Sequence, residues 1–452
     1  MRSGGALMRG VHSKGRVPVV SHLAGAAFAV LLVATVVFTV GAAQPAAAAS
    51  CSGRAVTTSA NVQDVVNGAP GGTTFCFAPG TYDVGSVAPK SGDVFDGGGL
   101  RAVLNGQNAR QYAFVDHGAS NVTVKGFVIE YYATPLQQGA IEAFSGPNWV
   151  IEQNKIVRNA ASGVATGNGV HVLQNVIEWN GQEGFAAQGS GGLYEGNIIA
   201  YNNSKLKVSV GWEAGGGKCW GTTNFTFSYN YVVDNGGNGV WCDTNNIYTT
   251  ISHNVVVNNT GAGIYEEISY NGSITDNLVE DNGMPSSPGH GQKLRYLWDA
   301  GIQLRGSGSL SASSPFVISG NTVVHNYNGI TLLQSPNDRY GACPTAYAGA
   351  SHEGEYGPCL VQNVLVENNT ISESQGATGA AQDGAGSAIF TSRNNHFIGN
   401  RYTLTPHCCK GRYSSGFLAW GNGWPTWGQW QRDGNDTTGS TNEYQWTRVR
   451  RR

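Results

Sequence analysis

Two stretches decide the fold: Asn230-Tyr-Val-Val-Asp-Asn-Gly-Gly-Asn-Gly239-Val-Trp-Cys-Asp243 and Asn254-Val-Val-Val-Asn-Asn-Thr-Gly-Ala-Gly263-Ile-Tyr-Glu-Glu267. They superpose without a gap, with a Gly nine residues after each Asn and an acid thirteen residues after it. The apolar runs are short and β-branched, and Asn and Gly stand at their ends, which is the pattern of strands of four or five residues joined by tight turns. Helical periodicity is absent from residue 120 to 405.

The same Asn recurs outward from this pair, at Asn154, Asn175, Asn197, Asn230, Asn254, Asn277, Asn321 and Asn369, with gaps of 21, 22, 33, 24, 23, 44 and 48 residues. Four gaps fall between 21 and 24 and the last two are near twice that, so the unit is one coil of a β-solenoid with occasional insertions. A sandwich would place strands every 8–12 residues without this common register. Asn in register on successive coils can stack into an amide ladder that satisfies backbone groups buried in the turn. The expected class is therefore all-β, a single-stranded parallel β-helix with a cap at each end.

On these residues, and on the opening segments Val62-Gln-Asp-Val-Val-Asn67 and Thr74-Phe-Cys-Phe-Ala-Pro-Gly-Thr-Tyr82, the chain resembles the right-handed parallel β-helix superfamily, the pectate-lyase-like fold. The resemblance implies a short amphipathic cap followed by the solenoid. It does not imply one activity, since lyases, hydrolases, epimerases and adhesins share the scaffold.

Equal register puts Asp243 and Glu267 on neighbouring coils, about 4.7–4.9 Å apart along the stack, close to the roughly 5–5.5 Å of a retaining glycosidase pair. Period-two alternation turns Val240 and Ile264 inward, so Trp241, Asp243, Tyr265 and Glu267 should face outward. Trp241 and Tyr265 would then offer flat rings to a sugar. The same column continues to Gln188 and Arg305, with Gln303 beside Arg305. Glu266 turns inward by this parity and is an alternative catalytic acid if the strand bulges. Of the pair, Glu267 should be the drier group and keep its proton near neutral pH.

Gly239-Val-Trp-Cys-Asp243 and Ile264-Tyr-Glu-Glu267-Ile268 are similar to the two active-site strands of the β-helix retaining β-xylosidases. That resemblance implies Asp243 as nucleophile and Glu267 as acid/base. The chain departs from the family at Thr244-Asn245-Asn246 and at Tyr270-Asn271, which leaves the sugar open.

Insertions flank the pair. The Asn-to-Gly spacing of nine becomes 14 at Asn197 to Gly211 and 24 at Asn277 to Gly301. They bring Lys205, Lys207, Trp212 and Glu213 on one side and His290, Lys293, Arg295, Tyr296, Trp298 and Asp299 on the other, of which His290 and Trp298 are candidate sugar contacts. Cys219 and Cys242 are one coil apart and should be disulfide-bonded; Cys343 and Cys359 should staple the insertion after Gly329.

Composition bounds the rest. Among 452 residues 65 are Gly and only 12% are charged, against about 7% and about 25% on average. Arg2, Arg9, Lys14 and Arg16, an apolar run from Ala24 to Val40 and a small-residue stretch ending at Ala49 read as a secretory signal peptide over residues 1–49. Without those four basic groups 23 Lys plus Arg face 29 Asp plus Glu, a net charge of −6, which argues against nucleic acid as a partner. Eight Cys, all beyond the cut, suit disulfides in an exported protein rather than a metal site. Acylation of Cys51 is the minor alternative, and no membrane association is expected after cleavage. Residues 50–120 should form the N-terminal cap and first coils, 121–405 the β-helix, and the Trp-rich 406–452 a C-terminal cap or a carbohydrate-binding appendage.

The function expected is a secreted glycoside hydrolase on a plant or bacterial-wall glycan, needing no cofactor. One alternative is a polysaccharide lyase or uronan epimerase, with Asp243 and Glu267 holding Ca²⁺ or neutralising a uronate and Arg305 or Lys293 as base. The other is a non-catalytic adhesive β-helix. Oligomeric state is not legible.

Overall fold

The structure, a computed structural model, describes residues 51–284, 297–334, 359–373, 376–382, 387–403, 417–421 and 423–441. The signal-peptide segment, His290 and Cys343 lie outside them.

Among the described residues most coils give one short strand to each of three parallel sheets, which hold 13, 13 and 11 strands. In the coil that decides the fold these are Thr226–Ser228, Tyr231–Val233 and Asn238–Asp243, and in the next Thr250–Ser252, Val255–Val257 and Ile264–Glu267. The register is that of the sequence: Val240 pairs with Ile264 and Asp243 with Glu267. Inward residues stack coil on coil, as in Tyr194, Phe227, Ile251 and Ile274 of the first sheet, all fully buried. The period of two thus delivers one apolar column per sheet into a continuous core.

The Asn column is a hydrogen-bonded ladder. Asn154 Nδ2 donates to Asn175 Oδ1 (3.1 Å), and the pattern runs unbroken through Asn197, Asn230, Asn254, Asn277, Asn321, Asn369 and Asn400. Each Oδ1 also accepts the backbone N–H of the Asn before it, so the turn leaves no amide unpaired. A second ladder stacks Asn159, Asn180, Asn202, Asn235, Asn259, Asn282 and Asn326 at the next corner.

At the N-terminal end the helix Val62–Asn67, capped by Asn61, covers the first coil with Val62 and Val66. A strand, Arg54–Val56, precedes this helix, and Cys51 is bonded to Cys76, which takes its sulfur out of reach of an acyl thioether. At the other end Trp420 and Trp430 pack into the core cluster. The last ladder amide, Asn400, ends on buried Asp436, which also accepts from Tyr402 Oη (2.7 Å) and Trp430 Nε1 (2.9 Å).

Candidate active site

The site lies on the outer face of the third sheet. Two residues along from the inward Val240–Ile264 pair come inward Cys242 and Glu266, and the residues between and beyond face out. One outward column is Lys218, Trp241, Tyr265, Gln303; the next is Trp220, Asp243, Glu267, Arg305. Asp243 and Glu267 are therefore adjacent carboxylates in register.

Each carries its own cation. Lys218 Nζ lies 2.8 Å from Asp243 Oδ2 and 3.1 Å from Glu213 Oε1, with only 11% of its side chain exposed. Arg305 Nη1 is paired with Glu267 Oε1. Thr244 Oγ1 donates to Asp243 Oδ1 (2.7 Å) and Trp241 Nε1 to Glu267 Oε2 (3.2 Å). Burial works against the Lys218 charge, but Asp243 and Glu213 more than compensate and hold the ammonium above its ordinary value. Glu267 thus meets a donor at each carboxyl oxygen, Arg305 at Oε1 and Trp241 at Oε2.

Trp241 and Tyr265 do face outward, yet they are covered, at 7% and 5% exposure. Their rings stack on each other at 5.5 Å and 10°, and Trp298 packs over them. They form the floor of the site rather than an open sugar platform. Arg305 lies over the Trp298 ring at 5.5 Å. Gln303 is buried, and its Oε1 accepts from Asp299 N (2.9 Å), so it anchors the end of the insertion. Gln188 falls at a register shift between Ala187 and Gly189, where the facing strand carries an extra residue.

The column residue on that side is Trp220, 41% exposed and in register with Asp243. Sequence reasoning missed it, and Lys218, by taking Gly211 as the coil glycine. The glycine in register is Gly216, within Gly215-Gly216-Gly217. A Cβ on Gly217 would sit 2.1 Å from the Phe185 ring, so the triple glycine, the available signal, belongs to the coil and not to the loop.

Glu266 is fully buried in the core between Cys242 and Leu304, and neither carboxyl oxygen has a hydrogen-bond partner. Burial pushes its carboxyl well above the usual range, only partly offset by Ser269, whose hydroxyl donates to the Glu267 carbonyl. No bulge presents it outward. Glu183, also fully buried, is raised by desolvation and keeps one hydrogen bond, from Ser162 (3.0 Å). A disulfide joins Cys219 and Cys242 within the core, Cα–Cα 4.5 Å. Cys359 is disulfide-bonded as well.

The right-handed β-helix region family matches residues 139–314. The mannuronan C-5 epimerase A-module of Azotobacter vinelandii aligns at TM-score 0.51 and 16% identity over 85% of this chain and 94% of that one. A polysaccharide lyase of Pseudopedobacter saltans aligns at 0.52 and 14% over 82% and 94%. No curated protein matches in sequence. At these identities the likeness is one of fold. With three parallel sheets wound in register, the chain is a right-handed parallel β-helix.

Proposed function

We propose that the protein is an exported glycoside hydrolase of neutral plant or bacterial-wall glycans, working by the retaining route with Asp243 as nucleophile and Glu267 as acid/base. The observation that carries this reading is the in-register carboxylate pair on an outer face, each acid held by its own cation. Asp243 would attack the anomeric carbon as the glycosidic C–O bond breaks, and Glu267, protonated and released from Arg305, would give its proton to the leaving oxygen. Water then attacks the covalent intermediate, Glu267 takes the proton back and Asp243 leaves as carboxylate.

A uronan lyase or epimerase is the competing reading, and the charge of the site counts against it. With Glu267 carrying the proton it would donate, Glu213 and Asp243 balance Lys218 and Arg305, so these groups offer no excess positive charge to hold a polyuronate. Export is supported by the disulfides Cys51–Cys76 and Cys219–Cys242, since such bonds form in oxidising compartments. Among the described residues no helix is long and apolar enough to cross a membrane.

Screening the protein against neutral and acidic glycans, with products assayed for reducing ends and for unsaturated ends, tests the reading. New reducing ends without unsaturation, abolished by Asp243→Asn and by Glu267→Gln, are expected. Unsaturated ends would replace it with the lyase.

A further inference from the structure

We infer that Lys218 and Glu213 are positioning residues for the nucleophile: Lys218 is a cation shared between Asp243 and the loop acid Glu213, so that it stays paired when Asp243 loses its charge to the substrate. The inference rests on the glycosidase reading of the site and adds a role for the 201–214 insertion.

Glu213 is held from several directions. Its Oε1 lies 3.1 Å from Lys218 Nζ, its Oε2 accepts from Gln137 Nε2, and its carbonyl accepts from Gln182 Nε2 at 2.8 Å. Its backbone sits at φ +36°, outside the regions an ordinary side chain prefers. Gln182 precedes the third-sheet strand one coil before that of Lys218 and Gln137 the strand three coils before it, so the loop acid is gripped by the scaffold.

The chemistry explains why a second acid is needed. When an Asp243 oxygen bonds to the anomeric carbon and the glycosidic bond breaks, the carboxylate becomes a neutral ester and the leaving oxygen takes the Glu267 proton. Lys218, with 11% of its side chain exposed and its face against Trp241 at 4.2 Å, would then be a nearly buried cation that has lost its partner. An unpaired charge in such a place is costly. Glu213 removes that cost at the moment it would arise.

A double-mutant cycle tests this on the glycan the wild type cleaves. Glu213→Gln and Lys218→Met should each lower kcat roughly ten- to a hundredfold, the scale of a hydrogen bond to a charged group, with KM little changed. The double variant should be no slower than Lys218→Met alone, because Glu213 acts through the ammonium. Lys218→Arg should recover part of the loss. Wild-type kcat in Glu213→Gln, losses that multiply in the double variant, or losses confined to KM would overturn the inference. Should Lys218→Met fail to fold, Glu213→Gln beside Lys218→Arg still decides. Activity abolished by Asp243→Asn but indifferent to Glu213→Gln removes this role alone; a chain in which Asp243→Asn is fully active, or that cleaves no glycan, removes both.

Discussion

Glu266 makes stability depend on pH with a sign opposite to that of most carboxylates. Its carboxyl is buried in the core with no hydrogen bond, and burial raises it well above 4.5. The folded state therefore holds a proton that the unfolded state has released, and stability falls as pH rises. The contribution is fully retained below about 4.5, the unfolded value, and is lost as pH climbs toward the folded one. Between the two, each pH unit removes about 1.4 kcal/mol. Replacing Glu266 by Leu, the residue type in register at Leu304, removes that slope and replaces an unpaired polar group with an apolar one. The assay is urea unfolding with disulfides intact, at a series of pH values from 4 to about 8 and at constant ionic strength. Glu142, raised by burial to about 7, titrates in both proteins and cancels in the difference. The Leu variant should gain on the wild type by about 1.4 kcal/mol per unit as pH rises above 4.5. Parallel curves would mean that Glu266 is hydrated or charge-paired, and that the inward parity of this strand is wrong.

Other outcomes follow from the same contacts. Asn230→Ala should cost several kcal/mol in the same unfolding assay, since it strips partners from Asn197 N and Nδ2 and from Tyr194 O, at about 1–3 kcal/mol for each orphaned group. Asp436→Ala should loosen the C-terminal coils before the rest, seen as faster amide exchange around Asn400 and Tyr402 than around Asn175, because four donors lose one acceptor. Arg305→Leu should lower kcat roughly tenfold or more, since the donor to Glu267 Oε1 is gone; an unchanged kcat would deny this pair a part in the chemistry.

The fold was legible because the Asn spacing is a chemical periodicity: an amide that pairs with the coil on each side must recur once per coil, and the structure carries that column from Asn154 to Asn400. Register came with it, which is why Asp243 and Glu267 could be set opposite each other before any coordinates. Exposure was less legible. Whether an outward residue meets solvent depends on what folds over it, and Trp298 closes Trp241 and Tyr265 from a segment of irregular spacing. The triple glycine at Gly215–Gly217 hid Lys218 and Trp220, because the Gly that marks a coil cannot be told by composition from a Gly in the loop before it. Pairing was the third gap. Columns say which residues are neighbours, but not that Lys218 and Arg305 each choose an acid.

The central claim is that Asp243 attacks sugar, and trapping the covalent intermediate tests it most directly. The protein is incubated with a 2-deoxy-2-fluoro glycoside of the sugar it releases, digested, and mapped by mass spectrometry. One adduct is expected, on the peptide that carries Asp243, absent from Asp243→Asn and accumulating without a proton donor in Glu267→Gln when the leaving group is activated. An adduct on Glu267 or elsewhere, or turnover of the natural glycan into unsaturated ends with no adduct at all, would contradict the account.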